Sequence, residues 1–141
     1  MSKTLRILTL AIVVIVAAWP LLTAAEEEPG NAARGRAAFN LYCSSCHGKS
    51  AKGDGPVAYS LKTPPTDLTQ LAASNGGKFP VDQTYAYIDG RRGIGAHGPS
   101  DMPVWGLSFQ DPGKDTDQEA MVRHKLRDLV AYIESMQEKG R

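Results

Sequence analysis

The sequence predicts an all-α domain with long connecting loops, on three observations. Near the C-terminus, Val122, Leu126, Leu129, Val130, Ile133 and Met136 recur at helical spacing. A second helix-compatible stretch opens after Pro29-Gly30, and no run alternates apolar and polar residues as a half-buried strand would. There is also no internal repeat and no sign of a second domain.

The first 25 residues read as a secretory signal. Lys3 and Arg6 precede an almost unbroken apolar run from Ile7 to Leu22, and Thr23-Ala24-Ala25 supplies small residues before Glu26-Glu27-Glu28. The run is shorter than the roughly 20 residues that span a bilayer. Cleavage between Ala25 and Glu26 is the expected outcome, with retention as a membrane anchor the alternative. Either way, residues 26–141 form one exported domain. Removal of Lys3 and Arg6 leaves 14 basic against 15 acidic residues, a formal charge of −1. Nucleic acid, which calls for a concentrated basic surface, is not an expected partner.

Asn31 suits the cap of a first helix whose apolar side includes Ala33, Ala37, Leu41 and Phe39. Gly35 inside that helix costs about 1 kcal/mol relative to alanine, which points to a close backbone approach. Gly35, Phe39 and Cys43 follow at i, i+4 spacing and so share a face. From Gly48 to Pro56 the chain is too glycine-rich for regular structure, and it lacks the residue order of a phosphate-binding loop. A helical turn is expected over Val57–Leu61. A short helix opening at Thr66 or Asp67 and closing at Asn75-Gly76-Gly77 follows, then one from Pro80 to Gly90. Five glycines with Pro99 and Pro103 rule out a normal helix or interior strand between Gly90 and Gly106. Thr116 and Glu119 match a capping box for the last helix, whose polar side carries Arg123, Lys125, Arg127, Asp128, Glu134 and Gln137.

The chemistry is concentrated in Cys43-Ser44-Ser45-Cys46-His47, which hold both cysteines of the chain. Cys-x-x-Cys-His is the attachment pattern of a c-type haem: the two thiols bond to the porphyrin vinyl groups and the adjacent imidazole reaches the iron. A thioredoxin-like pair would follow a strand in a βαβ setting, and no strand precedes Cys43. A structural zinc site wants a second pair of ligands, and a disulfide over so short a loop would stabilise little. One haem c per chain is expected, covalently held through Cys43 and Cys46 and ligated by His47.

The opposite face of the iron is either open, for chemistry or gas binding, or closed by a second protein ligand. Met121 and Met136 belong to the final helix, where packing explains them, and His124 lies there among polar residues. Met102 stands in Ser100-Asp101-Met102-Pro103-Val104-Trp105-Gly106, with no helical stripe to join, and is the expected ligand; His97 is the competing one. A thioether raises the potential, and six-coordinate iron reorganises little on gaining an electron. The closed shell argues for an electron carrier rather than an enzyme, with no small-molecule substrate. The carbonyl that accepts the His47 ring hydrogen is expected in the loop ending at Pro56. Arg91, Arg92, Tyr85 and Trp105 are candidates to pair with haem propionates, with solvation or core packing as their competing roles.

With this motif, the glycine-rich loop, the methionine in Asp-Met-Pro and the final amphipathic helix in this order, residues Ala32 to Met136 resemble class I cytochromes c. These include the broad bacterial group of small single-haem periplasmic carriers. The resemblance implies first and last helices crossing near perpendicular through Gly35, Phe39, Leu129 and Tyr132, with His47 and Met102 as ligands and Pro56 as acceptor for the His47 ring. It further implies a monomer serving redox proteins of a periplasmic or membrane electron-transfer chain, carrying electrons from a dehydrogenase or quinol-oxidising complex to a terminal acceptor. Membrane contact would come through an uncleaved N-terminus. The chain lacks the lysine ring of the mitochondrial type. Docking is therefore expected through an apolar edge near Cys43, Val57 and the Met102 loop, in an interface below about 1,200 Å². A haem-bearing subunit of a membrane complex, and a five-coordinate enzyme or gas sensor, are the alternatives.

Overall fold

The computed structural model describes residues 28–92, 101–113 and 117–138. The N-terminal apolar run, its cleavage junction, His97 and Thr116 lie outside them. The helices are α1 (Ala32–Tyr42), α2 (Ser44–His47), α3 (Leu71–Ser74), α4 (Val81–Asp89), α5 (Trp105–Ser108) and α6 (Gln118–Ser135), with 3-10 turns at Ala58–Ser60 and Leu68–Gln70. No strand occurs among the described residues, so the fold is all-α as the sequence predicts. None of the described helices is long and apolar enough to cross a membrane.

Helix α1 starts at Asn31, whose side chain accepts from the Arg34 N–H at 3.0 Å. Gly35, Phe39 and Cys43 are its buried face. Ala33, Ala37 and Leu41 point to solvent instead of inward, Leu41 with 71 % of its surface exposed. Alanine fits either side of a helix, so the deciding residue is Gly35. A Cβ on Gly35 would fall on the Asp128 carbonyl of α6, and only this face allows so close an approach. At the crossing Phe39 meets Tyr132 edge-on, with ring centroids 5.4 Å apart at 60°. Phe39, Val122, Leu126 and Leu129 are fully buried around it.

Asp128 is buried at the crossing rather than placed on the polar side of α6. It accepts the Asn31 backbone N–H at 2.6 Å and Arg34 Nε and Nη2 at 2.7 and 3.1 Å. Its carboxylate therefore ties the start of α1 to the middle of α6. Burial pushes the Asp128 carboxyl up, but the Arg34 hydrogen bond, the Asn31 N–H and the Arg34 charge outweigh it and hold the group below its usual value of 3.8. A depressed folded value stabilises the fold above the ordinary aspartate range, and the gain is lost as pH falls through the folded value. Asp128→Asn is expected to cost about 1–3 kcal/mol at neutral pH. The gap to wild type should narrow as pH drops below 3.8. Denaturant midpoints across that range check both parts, and a gap independent of pH would refute the linkage.

Helix α6 is capped one residue later than the capping box predicts: Asp117 accepts the Ala120 N–H at 3.0 Å. Glu119 is not folded back onto the cap but reaches Arg91. Beyond the helix end, Gln137, also expected on the polar side, is half-buried and works as a clamp. Its Nε2 donates to the carbonyls of Leu68 (2.7 Å) and Ile133 (2.8 Å), and its Oε1 accepts the Ala72 N–H at 2.8 Å. The Glu138 N–H donates to the Thr69 carbonyl at 3.0 Å. The chain end thereby anchors the 68–72 turns on the core.

Helix α4 ends at Gly90, whose φ of +66° supplies the left-handed cap. At the far end of the glycine- and proline-rich segment that follows, Trp105–Ser108 form the single turn α5. Gly106 makes this turn fit, because a Cβ there would meet the Asp89 carboxylate.

Candidate functional site

The Cys43–His47 motif is one continuous bend of helix. Cys43 donates its N–H to Phe39 O at 2.9 Å, and its own carbonyl accepts the N–H of Cys46 (3.2 Å) and His47 (2.9 Å). Residues three apart on a helical turn share a side, so Cys43 and Cys46 present their sulfurs together. Both thiols are free, Cys43 buried and Cys46 half-buried. Burial first, and the neighbouring Cys46 second, push the Cys43 thiol up to about 12. A thiol held so firmly protonated is the opposite of the low-pKa nucleophile of a dithiol oxidoreductase. The motif also follows helix α1, not a strand.

The loop after the motif folds back over it. Gly53, Gly55 and Val57 donate to the carbonyls of His47, Cys46 and Ser45 at 2.9, 3.1 and 2.9 Å. A Cβ on Gly55 would overlap the Cys46 backbone, which explains a glycine there. Ala51, at φ +61° and fully buried, turns the loop inward, and its carbonyl accepts the Leu68 N–H at 2.8 Å.

His47 Nδ1 lies 3.2 Å from the Thr66 carbonyl. A carbonyl only accepts, so Nδ1 carries the hydrogen and Nε2 keeps its lone pair for a metal. The acceptor expected from sequence was Pro56; the structure puts Thr66 at the ring, while Pro56 closes the folded-back loop and is exposed. Burial lowers the His47 pKa, partly offset by the Thr66 hydrogen bond, which favours the neutral imidazole that a metal requires.

Met102 is half-buried and packs against the core cluster that contains Cys43. Two independent links connect its segment to the motif. The Thr63 N–H donates to Asp101 Oδ2 at 3.4 Å, and Thr63 is three residues from Thr66, the His47 partner. Three residues span at most about 10 Å. On the other side, Trp105 stacks on Phe109 (centroids 5.1 Å, 28°), and Tyr42, next to Cys43, packs on both rings at 5.6 and 5.1 Å. Lys125 Nζ sits 4.6 Å from the Phe109 centroid.

The other predicted site residues are placed differently. Arg91 is engaged by carboxylates, Asp89 at 2.5 Å and Glu119 at 2.6 and 3.1 Å. Tyr85 packs on the core and lines a groove of about 480 Å³ between Pro29-Gly30, α4 and α6; burial, then Asp89, raises its phenol pKa. Trp105 serves the aromatic cluster, and Arg92 is exposed. His124 is exposed, as expected. Sequence reading missed Thr66, Asp101, Asp89 and Glu119. A backbone carbonyl has no sequence signature, Asp101 and Glu119 gain meaning only from partners distant in the chain, and Asp89 pairs with Arg91 only two residues on.

These residues suit a haem better than a bare ion. Among the described residues no group of three His, Cys, Asp or Glu side chains could hold a metal ion. A porphyrin brings its own equatorial nitrogens, so His47 and one further ligand complete an iron, and two thiols on one helical side match two vinyl groups.

Searches of curated proteins and of solved structures find no match. Residues 32–137 match the family model described as Cytochrome c. That span takes in α1, the attachment motif, Met102 and α6, and the chain belongs to the cytochrome c family.

Proposed function

We propose that the protein is a small exported electron carrier whose single haem c is attached through Cys43 and Cys46 and ligated by His47 and Met102. Family membership supports haem binding and electron transfer at the coarse level, and the Cys-x-x-Cys-His spacing supports covalent attachment. The observation that carries the finer reading is the Thr63–Thr66 strand of chain. It bonds to His47 through Thr66 and to Asp101, the residue before Met102, through Thr63, so one short piece of backbone ties His47 to the Met102 segment. Bound haem supplies a one-electron Fe(III)/Fe(II) couple.

The chain's own residues set the conditions for that couple. Thr66 orients the imidazole through Nδ1, which leaves Nε2 as the nitrogen that would ligate the iron. Met102 offers a soft, uncharged donor that favours the reduced state. The buried Cys43 and Phe109, with the Tyr42 and Trp105 rings packed on Phe109, would help to keep water from the bound group. A position closed by Met102 leaves no room for a substrate or a gas.

The basic, apolar and small-residue order of residues 1–25 supports export to the periplasm, with redox proteins of a periplasmic or membrane chain as donors and acceptors. Val57, Val104 and Leu107 are exposed apolar residues close in sequence to the motif or to Met102. They suit the small transient interface of a redox encounter.

Met102→Ala tests the ligand assignment. Haem stays covalently attached, the sixth position opens to carbon monoxide, and the potential falls. Axial ligands and their surroundings set haem potentials over about 0.8 V, so the drop should be easily measured. An unchanged potential and oxidised spectrum would overturn the assignment.

A further inference from the structure

Arg91 ties two helix ends together, one beside it in sequence and one 28 residues away. It joins the C-terminal end of α4 through Asp89 and the first turn of α6 through a bidentate pair with Glu119. Asp89 is buried, Arg91 has 22 % of its side chain exposed and Glu119 49 %.

The segment that carries Met102 rests on this cluster at two points. A Cβ on Gly106 would fall on Asp89 Oδ1 and Arg91 Nε, so the α5 backbone lies directly against the ion pair. Two residues earlier, Val104 packs on Gly90, with Val104 Cγ1 at 3.3 Å from a Cβ built there. Val104 also anchors α5, its carbonyl accepting the N–H of Leu107 and Ser108 at 3.0 Å each. Met102 is two residues before Val104. Loosening the Arg91 cluster would release the seat of α5 while leaving the α1–α6 crossing intact, since Asp128 and Arg34 hold that crossing independently.

We propose that Arg91, held between Asp89 and Glu119, is a positioning residue for Met102, which governs how readily that methionine yields its place to an external ligand. The inference rests on Met102 as the second iron ligand. Any added ligand must displace Met102, and its apparent affinity reports the fraction of time the Met102 segment is off its seat.

The test is an imidazole titration of the oxidised full-chain holoprotein, followed by the loss of methionine-to-iron absorption. Glu119→Gln keeps the side-chain shape and removes the charge, and Arg91→Lys cannot make the two-pronged pair. Both are expected to raise the apparent imidazole affinity about fivefold or more. Hydrogen exchange at the Leu107 and Ser108 amides should quicken in the same variants. Arg34→Gln, which loosens the α1–α6 crossing instead, should leave the affinity within about twofold of wild type even though it lowers stability.

Faster exchange with unchanged imidazole affinity would reduce the cluster to a structural role and overturn the proposal. Equal gains in Arg34→Gln and Glu119→Gln would do the same, by tracing the effect to global stability. In both cases a methionine band that disappears in Met102→Ala would leave the ligand assignment standing. Absence of that band from wild type would remove the assignment, and this proposal with it.

Discussion

Cys43→Ala combined with Cys46→Ala is expected to yield a polypeptide that loses all haem under denaturing conditions. Wild type should migrate with its haem and gain the mass of one haem. The expectation follows from the count, because these are the only two thiols of the chain. It also follows from geometry, since both sulfurs project from one bend of helix tied to Phe39 above and to the Gly53–Val57 loop below. The loss is not a packing effect. Cys43 is 9 % exposed, and trimming its sulfur removes little apolar surface compared with detaching a porphyrin from the core. Haem retained through denaturation by the double variant would refute attachment at these residues.

The second large effect is Gly35→Val. Helix propensity alone favours replacing a mid-helix glycine, by up to about 1 kcal/mol for alanine. The structure reverses the sign. The new Cβ would occupy the place of the Asp128 carbonyl and crowd Tyr132 Cβ. A peptide carbonyl cannot swing aside as a side chain can, so α1 and α6 must separate. Phe39, Leu126 and Leu129, all fully buried, then lose contact together. Overpacked cores typically lose 1–3 kcal/mol, and a collision with backbone puts this one at about 3 kcal/mol or more. That is a large share of the roughly 5–15 kcal/mol by which such domains are stable. Ala37→Leu, on the exposed face of the same helix, should stay within about 0.5 kcal/mol of wild type. Denaturant midpoints of the two variants decide the matter, and equal midpoints would contradict this account of the crossing.

The contrast between those two helix positions shows what sequence could and could not reveal. The i, i+4 series Gly35, Phe39, Cys43 marked the packing face because a glycine and a bulky aromatic carry information, whereas Ala33 and Ala37 fit either side and were assigned inward wrongly. In α6 the apolar stripe was legible from Val122 to Ile133. Asp128 was not, since a carboxylate enters a core only with partners, and Asn31 and Arg34 stand more than 90 residues away. Thr116 and Glu119 match a capping box by spacing, but Asp117 accepts the Ala120 N–H and Glu119 pairs with Arg91.

The candidate site divides in the same way. Cys43, Cys46 and His47 were legible because covalent attachment demands fixed side chains at fixed spacing. The acceptor for the His47 ring was not, because a main-chain oxygen can come from any residue, and Thr66 supplies it where Pro56 was expected. The sequence offers Arg91 as a partner for a haem propionate or as a solvated cation, because neither Asp89, two residues away, nor Glu119, 28 residues away, announces a pairing. Met102 was singled out by elimination among the methionines. The structure adds the Asp101–Thr63 bond and the Trp105 stack beside it.

The central claim, a closed His47/Met102 iron site that carries electrons, is tested most directly by the absorption spectrum of the oxidised full-chain holoprotein. The predicted result is a low-spin spectrum with the weak far-red band of methionine-ligated ferric haem. A high-spin spectrum without that band would contradict the claim and point to an open iron.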